Sequence, residues 1–232
     1  MAGSIARIFS YGVPLALFVL TARARSPAEI RTSKDIESTP SSWYAISIGD
    51  LPLSLYPQLS KFSQVEHVFF KGTTGWATDE KLKALAALSM PNLRDIVLGG
   101  SVTVTDEGVF ALTHLASVEL LQLSGTAISD RGIEALSQFP KLTGVNIVEC
   151  RRVSVDALKA LVQQRAWQDL SFSAERLSSK QVAELLAQLR PKAYCMVVDA
   201  SVHLDESLLR KVAVERGISL NLRKNPIYPG YR

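Results

Sequence analysis

Between residues 43 and 222 the apolar positions alternate between two periods. A short pattern, apolar-x-x-apolar-x-apolar, recurs as Val65/Val68/Phe70, Leu93/Ile96/Leu98, Val118/Leu121/Leu123, Leu142/Val145/Ile147, Trp167/Leu170/Phe172 and Ala193/Met196/Val198. Its alternation by two is that of a strand with one face buried. Further along each unit the period becomes three and four, as in Leu82/Leu85/Leu88, Ile133/Leu136/Phe139, Val155/Leu158/Leu161 and Val182/Leu185/Leu189. That spacing makes one stripe on a helix. Ahead of each helical run stands Thr78, Thr105, Ser129, Ser154, Ser178 or Asp205, spaced by 24 to 27 residues. A side-chain oxygen at that place satisfies an orphan N–H at a helix start, and acid in the first turn of several units favours the helix dipole. Each unit therefore predicts a strand, a turn and a helix.

One such unit cannot bury its own apolar stripe, whereas units stacked in parallel share a continuous core. The expected fold class is α/β: a leucine-rich-repeat solenoid with a curved parallel sheet on the concave face and helices on the convex face. Trp43/Ile46/Ile48 opens the series, and Pro52 and Pro57 argue against a regular helix after it. Residues 43–64 thus read as an irregular first repeat, and residues 220–232 as a C-terminal cap. Arg223, Lys224, Pro226 and Pro229 blunt the final sheet edge there.

The units resemble L-x-x-L-x-L-x-x-C/T-x-x-I-T/S-D-x-G-L-x-x-L. This is the helix-backed, cysteine-containing leucine-rich repeat found in F-box-type substrate receptors. Val118 through Leu136 matches it with Thr126 at the cysteine place, and Leu142 through Leu161 matches it with Cys150 there. The resemblance covers residues 43 to 222 or so, and no F-box helix bundle stands before it. It implies a protein-binding role.

Strand alternation says which residues face away from the helices. The third place of each strand gives Ala45, His67, Asp95, Leu120, Gly144, Asp169 and Cys195. The fifth gives Ser47, Phe69, Val97, Gln122, Asn146, Ser171 and Val197, and the seventh includes Lys71 and Val148. Phe69, Val97 and Leu120 fall on consecutive strands and are expected to form an exposed apolar patch, rimmed by His67, Lys71, Asp95 and Gln122. An apolar patch with a polar rim is what a protein partner docks on. The candidate partner-binding residues are therefore His67, Phe69, Lys71, Asp95, Val97, Leu120 and Gln122, with a protein as partner and a monomeric array.

Ser47, His67 and Asp95 raise a hydrolase reading as an alternative, since a nucleophile needs a base and an orienting acid. A flat sheet face offers no enclosed pocket for it, and no catalytic residue, metal or cofactor is expected. The face carries too few aromatic and basic residues to stack or neutralise a nucleic acid, although the net charge is +4. Two cysteines, Cys150 and Cys195, are too few for a disulfide framework. Placed two units apart, they are expected to be free thiols.

Ahead of the repeats, residues 8–22 form an uncharged, mostly apolar run that ends in Ala22-Arg23-Ala24. Four readings are open for it. It is a signal peptide cleaved after Ala24, an uncleaved membrane anchor, a mitochondrial presequence or a plain buried N-terminal helix. The first two place the array outside the cell, in the periplasm, or tethered to a membrane facing outward. The third makes it a mitochondrial assembly or coupling factor, with Arg7 and Arg23 and no acid before Glu29. Residues 25–42 are rich in Ser, Thr, Pro and charge and read as a linker.

Overall fold

In a computed structural model of the chain, residues 26–70, 77–199 and 203–224 are described. Packing divides it into two units, one of residues 27–142 with 150–154 and one of residues 143–149 with 155 onward. In the first, β1 (Ala28–Ile30), β2 (Ala45–Ile48), β3 (His67–Phe70), β4 (Asp95–Val97) and β5 (Leu120–Gln122) pair in parallel and in chain order. In the second, β6 (Gly144–Asn146), β7 (Asp169–Ser173), β8 (Tyr194–Val198) and β9 (Ser219–Arg223) do the same. Helices alternate with the strands. They are α1 (Ser33–Ser38), α2 (Asp79–Ala86), α3 (Asp106–Leu112), α4 (Asp130–Ala135), α5 (Val155–Gln164), α6 (Ser179–Gln188) and α7 (Glu206–Arg216).

Strand alternation builds the core as rungs. Ile46, Val68, Ile96 and Leu121 are paired across β2 to β5, and all four are fully buried. A second rung carries Ile48 and Phe70, and Leu98 N–H continues the ladder to the carbonyl of Gln122 at 2.8 Å. Val145, Leu170, Cys195 and Leu220 form the matching rung of the second unit. Burying one such aliphatic side chain stabilises by about 1.5–3 kcal/mol, so a ladder of them outweighs the cost of ordering these three- to five-residue strands. Trp167 is fully buried, and its indole N–H donates to the Leu161 carbonyl at 2.6 Å.

Thr78, Thr105, Ser129, Ser178 and Asp205 each cap a helix through a side-chain oxygen. Ser154 immediately precedes α5, and its N–H donates to Asp130 Oδ1 at 2.7 Å.

Two expectations need correction. Residues 25–42 are not a bare linker. β1 pairs with β2, and α1 is closed by a reciprocal capping box between Thr32 and Asp35. The stretch looked like a linker because its only large apolar side chains are Ile30 and Ile36, which are both buried. The described strands thus begin before residue 43. After β2 the chain makes no regular α-helix, in keeping with Pro52 and Pro57, but a 3-10 helix over Leu53–Lys61 with Pro57 inside it. Finally, β8 enters its sheet one residue early, through Lys192 at φ 67°. Tyr194 rather than Cys195 therefore pairs with Asp169. Cys195 and Val197 face the core, and Tyr194, Met196 and Val198 face away from it. Tyr194 to Val198 is apolar at almost every place, so a period of two has no phase to read there.

Residues 1–24, Lys71 and the tail beyond Lys224 lie outside the described residues. No helix among the described residues is long and apolar enough to cross a membrane.

Candidate functional site

On the face of β2–β5 opposite the core, register places two rungs side by side. One is Ala45, His67, Asp95 and Leu120, and the other is Ser47, Phe69, Val97 and Gln122. Six of the seven candidate partner-binding residues are thus neighbours on one face, and Lys71, the seventh, is not described. The expected exposed patch is not open, however. Phe69 is 9% exposed and Leu120 5%, leaving Val97 as the half-buried apolar residue between them.

His67 and Asp95 form the polar centre of this face. His67 Nδ1 lies 2.7 Å from Asp95 Oδ2, and both side chains keep a little solvent access. The edge of Tyr44 meets the imidazole at 6.1 Å and 89°, an aromatic geometry that fixes the ring plane. Ser47 does not complete a triad: its Oγ is buried and makes no hydrogen bond. Gln122 is turned to its own strand end, where its Oε1 accepts from Ser124 N–H at 3.0 Å. Asn146 repeats that bond in the second unit, accepting from Val148 N–H at 3.0 Å.

At the strand-to-helix turns a second network links successive units. Thr105 donates its N–H and its hydroxyl to the two oxygens of Asp79, at 2.9 and 2.6 Å. Ser129 does the same to Asp106, at 2.7 and 2.6 Å. The acid in the first helical turn is thus a receptor for the next unit's cap. This explains the glycine three residues after the next unit's cap: a Cβ on Gly132 would stand 2.6 Å from Asp106 Oδ1, and one on Gly108 would press on Asp79 in the same way. In the second unit Asp205 N–H donates to Ser179 Oγ at 2.8 Å. The fold is that of a leucine-rich repeat.

Local geometry also explains the residue type at Thr126 and Cys150. Thr126 Oγ1 donates to the Leu123 carbonyl at 2.7 Å, and Cys150 Sγ donates to the same oxygen at 3.2 Å. A small donor is wanted there, and either residue supplies it. Cys150 and Cys195 are both free and buried. Burial pushes the Cys195 thiol far above its ordinary range.

No family model matches the chain. Among solved structures, it is similar to one titled as a TLR13–ssRNA13 complex, at 12% identity, a TM-score of 0.35, and 84% of this chain against 44% of that one. It is also similar to an internalin, InlF, from Listeria monocytogenes, at 12% identity, a TM-score of 0.40, and 83% of this chain against 64% of that one. The chain spans less than two thirds of each. The repeat assignment stands on the rungs and turns described above.

Two features of the second unit were not foreseen. Asp169, on β7, is 4% exposed, and burial pushes its carboxyl up to about 7. His203, just before α7, is the second. It lies 3.0 Å from Asp199 Oδ1 through Nδ1, and its Nε2 lies 2.7 Å from the Leu177 carbonyl. Nothing in the local spacing marks either residue, because both depend on which strand or turn lies alongside.

Proposed function

We propose that the chain is a non-catalytic protein-binding scaffold. Its partner surface is the sheet face around His67, Phe69, Asp95, Val97, Leu120 and Gln122, with Lys71 at the rim, and residues 8–22 export it or tether it at a membrane. The observation that carries the reading is the His67–Asp95 pair beside half-buried Val97, all on adjacent strands of one rigid ladder. A positioned polar pair next to an apolar side chain gives a partner both orientation and contact area. The hydrolase alternative lacks its first step, since the Ser47 hydroxyl has no base to take its proton.

The test is capture by the full chain carrying Asp95→Lys and Val97→Glu, compared with wild type and with Glu134→Lys on the exposed side of α4. A protein held by wild type and Glu134→Lys, and released by the strand pair, supports the reading. Equal capture by all three folded proteins refutes it. Export and tethering predict that the mature chain either begins after Ala24 or fractionates with membranes. A mitochondrial address is the second reading, favoured by Arg7 and Arg23 with no acid before Glu29. Cell fractionation with N-terminal sequencing separates the two.

A further inference from the structure

Among the described residues β9 is the last strand of its sheet, and it pairs only with β8. Its bonds to β8 run through alternate residues. Ser219 N–H donates to the Ala193 carbonyl at 2.9 Å, and the Arg223 carbonyl accepts from Asp199 N–H at 2.8 Å. In a strand the N–H and C=O of one residue point to the same side. Those of Leu220 and Leu222 therefore point to the opposite, open edge.

The core is unfinished at the same place. Leu220 and Leu222 continue the rungs of the fully buried Cys195 and Val197, yet both leucines are only half-buried. On α7, Glu206, Arg210 and Val214 follow one another at intervals of four and share one helix face. Lys224, just past β9, reaches Glu206 at 3.1 Å, so this face borders the end of the strand. Val214 on it is 80% exposed.

The border is basic. Residues 205–224 carry five cations against three acids. Two of those acids are engaged, Glu206 by Arg210 and Lys224 and Asp205 as the cap of α7. Arg223 alternates with Leu222 and so lies on the sheet face away from the core, where it has no ion pair among the described residues.

We propose that the open edge of β9 binds an extended acidic segment of a partner protein, which adds to the sheet as a further strand. Main-chain bonds to Leu220 and Leu222 supply the affinity, and alternate side chains supply the selection. The side chains beside Leu220 and Leu222 enter the unfinished core and are apolar, and the one beside Arg223 is Asp or Glu. Charge on an edge strand bars indiscriminate pairing; a cation here admits a strand that brings an anion. A second copy of this chain fits less well. Its β1 offers Ala28 and Ile30 for the core places but then sets Arg31 beside Arg223, and its β9 brings another Arg223 and Lys224. This surface belongs to the second unit, and the inference does not depend on the reading given for the first.

The test uses the full chain and two peptides carrying a neutral dye, Val-Glu-Val-Glu-Val-Glu and Val-Lys-Val-Lys-Val-Lys, followed by fluorescence anisotropy. The acidic peptide is expected to bind at least tenfold more tightly than the basic one. Leu222→Pro removes an outward N–H and none that bonds to β8, a place where an edge strand tolerates proline. It is expected to weaken the acidic peptide at least tenfold while the circular dichroism spectrum is kept. Arg223→Glu is expected to reverse the preference between the peptides, and it decides the matter if Leu222→Pro does not fold. Binding of neither peptide, equal binding of both, or an unchanged affinity in either folded variant overturns the proposal. Self-association of the chain that Leu222→Pro abolishes assigns the edge to a second copy and overturns it too.

Discussion

The carboxylate of Asp106 receives both the backbone N–H and the hydroxyl of Ser129, at 2.7 and 2.6 Å, across an interval of 23 residues. Ser129 simultaneously caps its own helix by accepting from Arg131 N–H at 3.3 Å. One hydroxyl thus starts a helix and ties that helix to the unit before it, so that cap and stacking form together. Hydrogen bonds to a charged group contribute about 1.5–3 kcal/mol. Asp106→Ala is therefore expected to destabilise by about 2–3 kcal/mol, read as a fall in the urea midpoint. A double-mutant cycle with Ser129→Ala should return a coupling of about 1–2 kcal/mol. Strictly additive losses would show that the two residues act separately.

Gly132 sits in the first turn of α4, where Ala would ordinarily stabilise a helix by about 1 kcal/mol. Here its new Cβ would meet Asp106 Oδ1 at 2.6 Å, and that oxygen cannot move without breaking its bond to Ser129. Gly132→Ala is therefore expected to destabilise by about 1–2 kcal/mol. In the Asp106→Ala background the same change should become neutral or stabilising. A reversal of sign between the two backgrounds, measured by chemical denaturation, is the diagnostic.

Asp169 predicts a pH dependence opposite to that of a salt-bridged acid. Burial raises its folded pKa to about 7, above an unfolded value near 3.9. Between these values the unfolded chain has released the proton and the folded chain still holds it, so stability falls as pH rises from about 4 to about 7, then levels off. A gap of that size corresponds to at most about 4 kcal/mol. Asp169→Asn should flatten this fall and be the more stable protein at pH 7.5, as seen in melting temperatures recorded across the range. Parallel curves for the two proteins would contradict it.

Both cysteines are buried, and Cys150 is engaged with the Leu123 carbonyl. In the native protein neither should react with a chromogenic disulfide within minutes, and both should react in denaturant. Cys150→Thr should cost less than about 1 kcal/mol, because Thr126 already fills the equivalent place in the preceding unit. Fast native labelling of one thiol would mean that its repeat opens locally.

The repeat itself was legible along the chain. The switch between periods of two and 3.6 placed the strands from β2 onward, and the oxygen-bearing residues at 24 to 27-residue intervals marked the helix starts. Both signals survive in a linear reading because they depend on neighbours within one unit. The same holds for the pairing of His67 with Asp95, since register within a ladder follows from counting. What a linear reading missed lies between units or beyond a strand. The acid in the first turn was read as a dipole effect, whereas its bidentate role needs the next unit's cap beside it. The phase of β8 was lost because Cys195, Met196, Val197 and Val198 are apolar on both faces, and only pairing with β7 chose between them.

Sequence by itself determined the unit: its length, its core residues, its caps and the demand that it stack. Tertiary structure decided exposure. Phe69 and Leu120 have the pattern of open sheet-face residues and are closed, and Asp169 has the pattern of a surface carboxylate and is buried. Periodicity tells which way a side chain points, whereas burial depends on what lies in front of it, and that is set by distant parts of the fold.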